Sequence, residues 1–213
     1  MIAYSITFGL IFGFFSKKII NWIKIEDFTL SNKNFTIEGL SVSISLWSFY
    51  NLELTVAIPF SLFIISLFAI SYVDFKTFQI PLIFIIICLF SVTANILLKN
   101  IYLSAAFFGI FIGAFIPLFI LGVMWFITKR QGMGFGDIQL GFVIGAMLGP
   151  MRMAITLFFA SLLSLLAWVA VSIFKGFKRD RAMPMAPFYT VATIFVYMGS
   201  FYYPDFFYLL TMQ

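Results

Sequence analysis

The chain has 213 residues, 63% of them hydrophobic and only 10% charged, where soluble globular domains carry about a quarter charged residues, so a water-soluble core is excluded and the bilayer is the expected solvent. The net charge of +5 and the pI near 9.4 do not mark a nucleic-acid binder, because the basic residues fall in short clusters between apolar runs, as loop charges of membrane proteins do. With no histidine and a single cysteine, Cys88, inside an apolar run, imidazole-dependent catalysis, disulfide frameworks and cysteine-rich zinc sites are excluded, and acid–base chemistry falls to carboxylates.

The first apolar run covers residues 2–23. A signal peptide carries positive charge before its apolar stretch, but here Met1 to Phe15 has none and Lys17 and Lys18 follow. A retained first helix is expected, with its basic end toward the cytoplasm and the N-terminus outside. Residues 24–36 (KIEDFTLSNKNFT) are the main polar stretch, read as a short cytoplasmic loop too small to build a core. The run at 37–52 is weaker, holding Glu38, Ser41, Ser43, Ser45, Ser48, Trp47 and Tyr50, and on hydropathy alone it reads equally as a surface helix. Stronger runs follow at 54–73, 80–98, 101–127, 138–150, 153–174 and 187–210. The helix containing 138–150 is expected to begin before Asp137, and Gly149-Pro150 followed by Arg152 reads as a tight outside turn. The 31 phenylalanines are assigned to lipid-facing and interhelical positions.

Loop charge decides whether 37–52 crosses. If it does not, Lys17, Lys18, Lys24, Lys33, Lys99 and Arg152 lie inside and the other seven basic residues outside, which is no bias. If it does, Lys99 and Arg152 are the two outside residues and the remaining eleven are inside. The positive-inside rule therefore predicts about eight crossings in an all-α, polytopic helical bundle forming a single integral-membrane domain over residues 1–213. The basic loops at 129–130 and 175–181 are read as fixing this topology. The same arrangement puts Asp74, at the end of the third helix, and Asp137, at the start of the sixth, on the cytoplasmic face.

Eight acids are available, and acids at membrane depth are costly. Taken alone, Asp74 beside Lys76 reads as a solvated boundary residue. Asp137 follows Gly132, Gly134 and Gly136 directly before an apolar helix. Such glycines allow positive φ and close backbone approach, although a simple helix N-cap would look the same.

These residues carry a family resemblance. Asp74-Phe-Lys-Thr-Phe-Gln-Ile80-Pro81 resembles the first catalytic motif of the type IV prepilin peptidases. GMGFGDIQLGFVIGAMLGP at 132–150 resembles their second, Gly-x-Gly-Asp motif, and Met183-Pro184-Met185-Ala186-Pro187-Phe188 resembles their C-terminal proline-rich motif. Weaker similarity at FGLIFGFF, residues 8–15, extends the likeness over nearly the whole chain. The resemblance implies a membrane aspartic endopeptidase of the bacterial inner membrane, its active site at the cytoplasmic face. Asp74 and Asp137 would be catalytic, with Gly134, Gly136, Pro81, Pro184 and Pro187 in the active-site or substrate-binding loops. Its substrates would be prepilins or pseudopilins of type IV pilus or type II secretion systems, cleaved before their hydrophobic helix.

The chain departs from the family pattern at Gln139, where lysine is usual, at Leu82, where an acid or amide is usual, and at Ala186, where glycine is usual. The cysteine-free loop 24–36 stands where many members carry a zinc-binding domain, so zinc is not expected. Proteolysis needs no cofactor, and S-adenosylmethionine enters only if N-methyltransferase activity is retained.

In the expected mechanism one carboxylate takes a proton from a water that attacks the peptide carbonyl, while its protonated partner polarises that carbonyl. The helix dipoles favour Asp137 as the ionised member and Asp74 as the holder of the shared proton. A small proton- or cation-coupled transporter using the same acids is the alternative of a different class. Acids gathered on one face, with none at the midplane of a broken helix, speak against it. A signal-peptide peptidase relative would place its first aspartate within an apolar helix in a tyrosine-containing motif. Tyr72 lies near Asp74, but Lys76 and Ile80-Pro81 favour the prepilin likeness.

Overall fold

The computed structural model describes residues 1–23, 29–31, 35–129, 134–177 and 182–209, with Met124, Thr128, Tyr208 and Leu209 described by backbone alone. Every regular element among them is a helix: α1 (Ile2–Ile23), α2 (Thr36–Asn51), α3 (Leu54–Thr77), α4 (Leu82–Leu97), α5 (Leu103–Ile110), a π-helical turn (Phe111–Phe115), α6 (Ile116–Thr128), α7 (Phe135–Leu148), α8 (Pro150–Lys175), α9 (Ala186–Tyr202) and α10 (Pro204–Leu209). With α5, the π turn and α6 counted as one run, helices stand at all eight predicted segments, 37–52 included. Four runs are long and apolar enough to cross a bilayer, namely α1, α3, Leu103–Ile127 and α8, while α4 and α7 are shorter apolar helices. The protein is a polytopic membrane helical bundle. Interhelical contacts divide it into two compact units, Met1–Tyr102 and Leu103–Gln213.

In the first unit α1 and α2 form an antiparallel pair. A Cβ on Gly9 would stand 2.6 Å from the Val42 Cα, and one on Gly13 would stand 2.9 Å from the Glu38 Cα. Gly9 and Gly13 are four apart, the small-residue spacing that lets helix backbones approach in lipid, where apolar burial alone gives no preference for protein over acyl chains. One turn further, Lys17 Nζ reaches Glu38 Oε1 at 3.1 Å, an ion pair with both side chains buried. The other carboxylate oxygen, Oε2, is also buried and takes no hydrogen bond among the described residues. Near the loop, Asn21 donates to the Leu30 carbonyl at 3.1 Å and accepts the Leu30 N–H at 2.6 Å, tying a buried Leu30 to α1.

Helix α3 packs against α1, α2 and α4 and supplies the largest share of the unit's core, with Phe60, Phe63, Ile64, Ile65, Leu67 and Ile70 all buried. Pro59 lies inside it. Lacking an N–H, proline leaves the carbonyl four residues back, that of Thr55, without its helical donor. Asn100 supplies one from the α4–α5 connection, its Nδ2 standing 2.9 Å from that oxygen.

The second unit is built on glycine against glycine. A Cβ on Gly109 would overlap the Gly145 carbonyl, and one on Gly113 would overlap that of Gly141, so α5 and the π turn run antiparallel to α7 at backbone contact. The Met153 Cε lies 3.0 Å from the Cβ position of Gly113, placing the start of α8 against the π turn. As expected, the α7–α8 junction turns tightly at Gly149, which has φ +77° and directly precedes Pro150. Helix α9 packs on α8 and α7, and Arg152 near the start of α8 faces the Tyr197 ring toward the end of α9 at 5.8 Å. The predicted run 187–210 is interrupted. α9 stops at Tyr202 and α10 restarts at Pro204, where the proline ring cannot extend the preceding helix. Most phenylalanines face outward, as expected of a lipid-facing surface, and Phe60, Phe63 and Phe84 are fully buried.

Candidate active site

Asp74 sits in the last turn of α3, 4% exposed. The helix ends four residues later at Phe78, which adopts a left-handed conformation with φ 55° and donates its N–H to the Asp74 carbonyl at 2.9 Å. That closure turns the chain away and leaves Asp74 within the helix, shielded, with Val73 also buried. Pro81 is buried and occupies the N-cap of α4, its φ of −69° suited to the extended backbone just before a helix. Leu82, at the first helical position, is exposed. Asp74 and Pro81 thus flank one inter-helix connection of the first unit.

Asp137 belongs to the second unit. The helix does begin before it, at Phe135, so Asp137 is the third helical residue and not the N-cap. The cap is Gly134, whose backbone N–H donates to Asp137 Oδ2 at 3.2 Å. The carboxylate therefore folds back over the start of its own helix, satisfying one donor that the first turn would otherwise leave free. A Cβ on Gly134 would lie 3.3 Å from that oxygen. Gly134 has φ −77°, so it is wanted for the close approach of the carboxylate and not for a left-handed backbone, a correction to the sequence argument. Gly136 is the second residue of α7, while Gly132 lies outside the described residues. Gln139 is exposed on α7.

The proline-rich motif opens α9. Pro184 is half-buried in the irregular segment before the helix, and Pro187 stands at the second helical position, where no backbone N–H is needed. Ala186, where the family has glycine, is fully buried, so its methyl group is accommodated without opening the packing. Two residues beyond Pro187, Tyr189 is buried and lies within electrostatic reach of the Asp137 carboxylate. Sequence reasoning passed over this tyrosine, because a tyrosine in an apolar run reads as packing.

The structure thus gathers Gly134, Gly136, Asp137 and the α9 motif in the second unit, and Asp74 with Pro81 in the first. Among the described residues no three His, Cys, Asp or Glu side chains cluster as a metal site requires. The segment 24–36 is described only at 29–31, 35 and 36, and of the basic loop 175–181 only 175–177.

A model of the type IV leader peptidase family matches residues 61–169, just over half of the chain. The match contains Asp74, Pro81, Gly134, Gly136 and Asp137, and ends before Pro184 and Pro187. No curated protein and no solved structure matches. That match, in a bundle of apolar helices, places this membrane peptidase in the type IV leader peptidase family.

Proposed function

We propose that the protein is an aspartic endopeptidase that removes the leader of type IV prepilins or pseudopilins at the cytoplasmic face of the bacterial inner membrane, with Asp74 and Asp137 as the catalytic groups. The observation that carries the reading is the treatment of these two acids. Asp74 is almost fully buried at the end of an apolar helix, and Asp137 is clamped by the Gly134 N–H at the start of another. Ionisable groups at membrane depth are costly and mark functional sites by default.

In this reading Asp137 is the base. The first-turn backbone N–H groups and Gly134 supply positive potential to its carboxylate, which takes a proton from the attacking water. Asp74, in a last turn where carbonyls point the other way, holds the proton and donates it toward the scissile carbonyl. The tetrahedral intermediate collapses when the leaving amine is protonated. Gly136, Pro81, Pro184 and Pro187 shape the surrounding loops. The loop 24–36 takes the place of a zinc-binding domain, proteolysis runs without a cofactor, and S-adenosylmethionine is required only if the trimmed substrate is also methylated. The whole chain, residues 1–213, acts as one membrane peptidase domain with its N-terminus outside.

The test expresses the full chain in membranes with a leader-bearing prepilin and compares wild type with Asp74→Asn and Asp137→Asn. Each variant is expected to lose cleavage by about a thousandfold or more, as removal of an essential acid–base group does. Trimming by either variant at the wild-type rate sinks the assignment of the pair, and a wild type that trims no pilin-like substrate sinks the function.

A further inference from the structure

The first unit carries an apolar groove of about 340 Å³ between the first half of α3 and the second half of α4. Leu54, Thr55 and Pro59 line one side of it, and Phe90, Ala94 and Leu98 the other. The volume lies at the low end of the range of about 300–1,000 Å³ found for small-molecule sites. A single turn of helix, about 10 Å across and about 5.4 Å high, takes up roughly 420 Å³, so the groove holds less than one turn of a partner helix. An acyl chain is the slimmer apolar occupant that a bilayer supplies. Every phospholipid brings one, so any selectivity has to come from the groove's end.

Two opposite charges flank that end. Glu53 directly precedes Leu54, and Lys99 directly follows Leu98. Asn100 Nδ2 stands 2.9 Å from the Thr55 carbonyl, which ties the end of α4 to the start of α3 and keeps both charges at one mouth of the groove. Glu53 is the N-cap residue of α3, yet its side chain makes no capping bond. Both side chains are exposed, and among the described residues neither has an ion-pair or hydrogen-bond partner. Tyr50 and Tyr102, 87% and 81% exposed a few residues to either side, mark this end as headgroup depth, where amphipathic rings gather. An acid and a base left open above an apolar slot complement a headgroup that carries both a phosphate and a primary ammonium. A purely anionic headgroup would be repelled by Glu53, and a trimethylated ammonium has no N–H to donate to it.

We propose that the first unit binds one phospholipid of the phosphatidylethanolamine class, with a tail in the α3–α4 groove, its phosphate at Lys99 and its ammonium at Glu53. The site lies at the opposite end of α3 and α4 from Asp74 and Pro81, and it stands whether or not the catalytic reading does.

The experiment places the full chain in detergent micelles containing equal amounts of phosphatidylethanolamine, phosphatidylglycerol and phosphatidylcholine with identical tails, and reads the retained lipid by native mass spectrometry. Wild type is expected to retain one phosphatidylethanolamine at least about fivefold over either competitor, the effect of one charge contact near the membrane surface. Lys99→Gln and Glu53→Gln should each lower that retention about fivefold, and Ala94→Phe, which fills the groove, should abolish it. Equal retention of the three lipids leaves only unselective boundary lipid and overturns the proposal. So does undiminished retention in either charge variant, or a lipid-free dimer in place of the lipid-bound monomer, which would give the groove to a second copy of the chain. Should Ala94→Phe fail to fold, Lys99→Gln and Glu53→Gln, both at exposed positions, decide the matter by themselves.

Discussion

At the scale of single residues, the Asp137 carboxylate is held by a backbone donor only 3.2 Å away, and a methyl group on the glycine that provides it would crowd the acid at 3.3 Å. Gly134→Ala is expected to push the carboxylate off its cap and lower cleavage about 10- to 100-fold while leaving the melting temperature close to wild type, since misplacing a reacting group by a fraction of an ångström is costly and the site is exposed. Steady-state cleavage and thermal melting on the same preparation check it. The Lys17–Glu38 pair makes the opposite prediction. Both groups are buried, so Lys17→Met alone leaves an uncompensated carboxylate and should cost about 3–5 kcal/mol, whereas Lys17→Met with Glu38→Gln should recover much of it. Equal losses in the single and double variants, measured by denaturant titration in detergent, would refute a compensated pair. Asp74 and Asp137 stand out in the sequence because few carboxylates punctuate long apolar runs. The ion pair does not: Lys17 reads as a topology marker and Glu38 as a flaw in a weak helix, and only folding brings them together.

At the scale of elements, glycine spacing matters more than hydropathy. Gly145→Ala in α7 would drive a methyl group into the Gly109 carbonyl and is expected to destabilise the second unit by about 1–3 kcal/mol, as overpacking does, while Gly122→Ala in α6, with open space around it, should be nearly silent. Similar melting of the two variants would contradict the backbone contact. The proline in α3 offers a cycle. Asn100→Ala should cost about 1 kcal/mol in the natural chain but less beside Pro59→Ala, where the residue at 59 regains an N–H for the Thr55 carbonyl. Hydropathy located every long helix, and α2, singled out by charge bookkeeping, is a helix whose buried Ser41, Ser45 and Ser48 lower its hydropathy. Hydropathy did not locate the π turn at Phe111–Phe115. That turn coincides with the meeting of Gly113 and Gly141, a tertiary contact that no apolar run encodes. The break at Pro204 was in plain view in the sequence and was overridden by the apolar residues around it.

At the scale of the whole molecule, the eight helical segments make the orientation testable. With eight crossings and the N-terminus outside, Lys99→Cys should react with a membrane-impermeant thiol reagent applied from outside, and Lys175→Cys only after permeabilisation, in a Cys88→Ser background. Cys88 is itself buried, out of reach of the reagent. The reverse labelling pattern would overturn the orientation and put both acids on the outer face.

The Lys17–Glu38 pair bears on how the protein enters the membrane at all. A helix leaving the insertion machinery alone would carry its lysine or its glutamate toward lipid unaccompanied, at a cost that reaches about 2.5–3.5 kcal/mol for a lysine at a helix centre and is smaller toward the helix end, where Lys17 stands. α1 and α2 escape that cost if they partition as a prefolded hairpin, the charges already joined and Gly9 and Gly13 already against the partner backbone. Biogenesis of this peptidase then begins with a two-helix unit whose release waits on synthesis of Glu38. A ribosome stalled before α2 has emerged should therefore leave α1 still cross-linkable to the insertion channel.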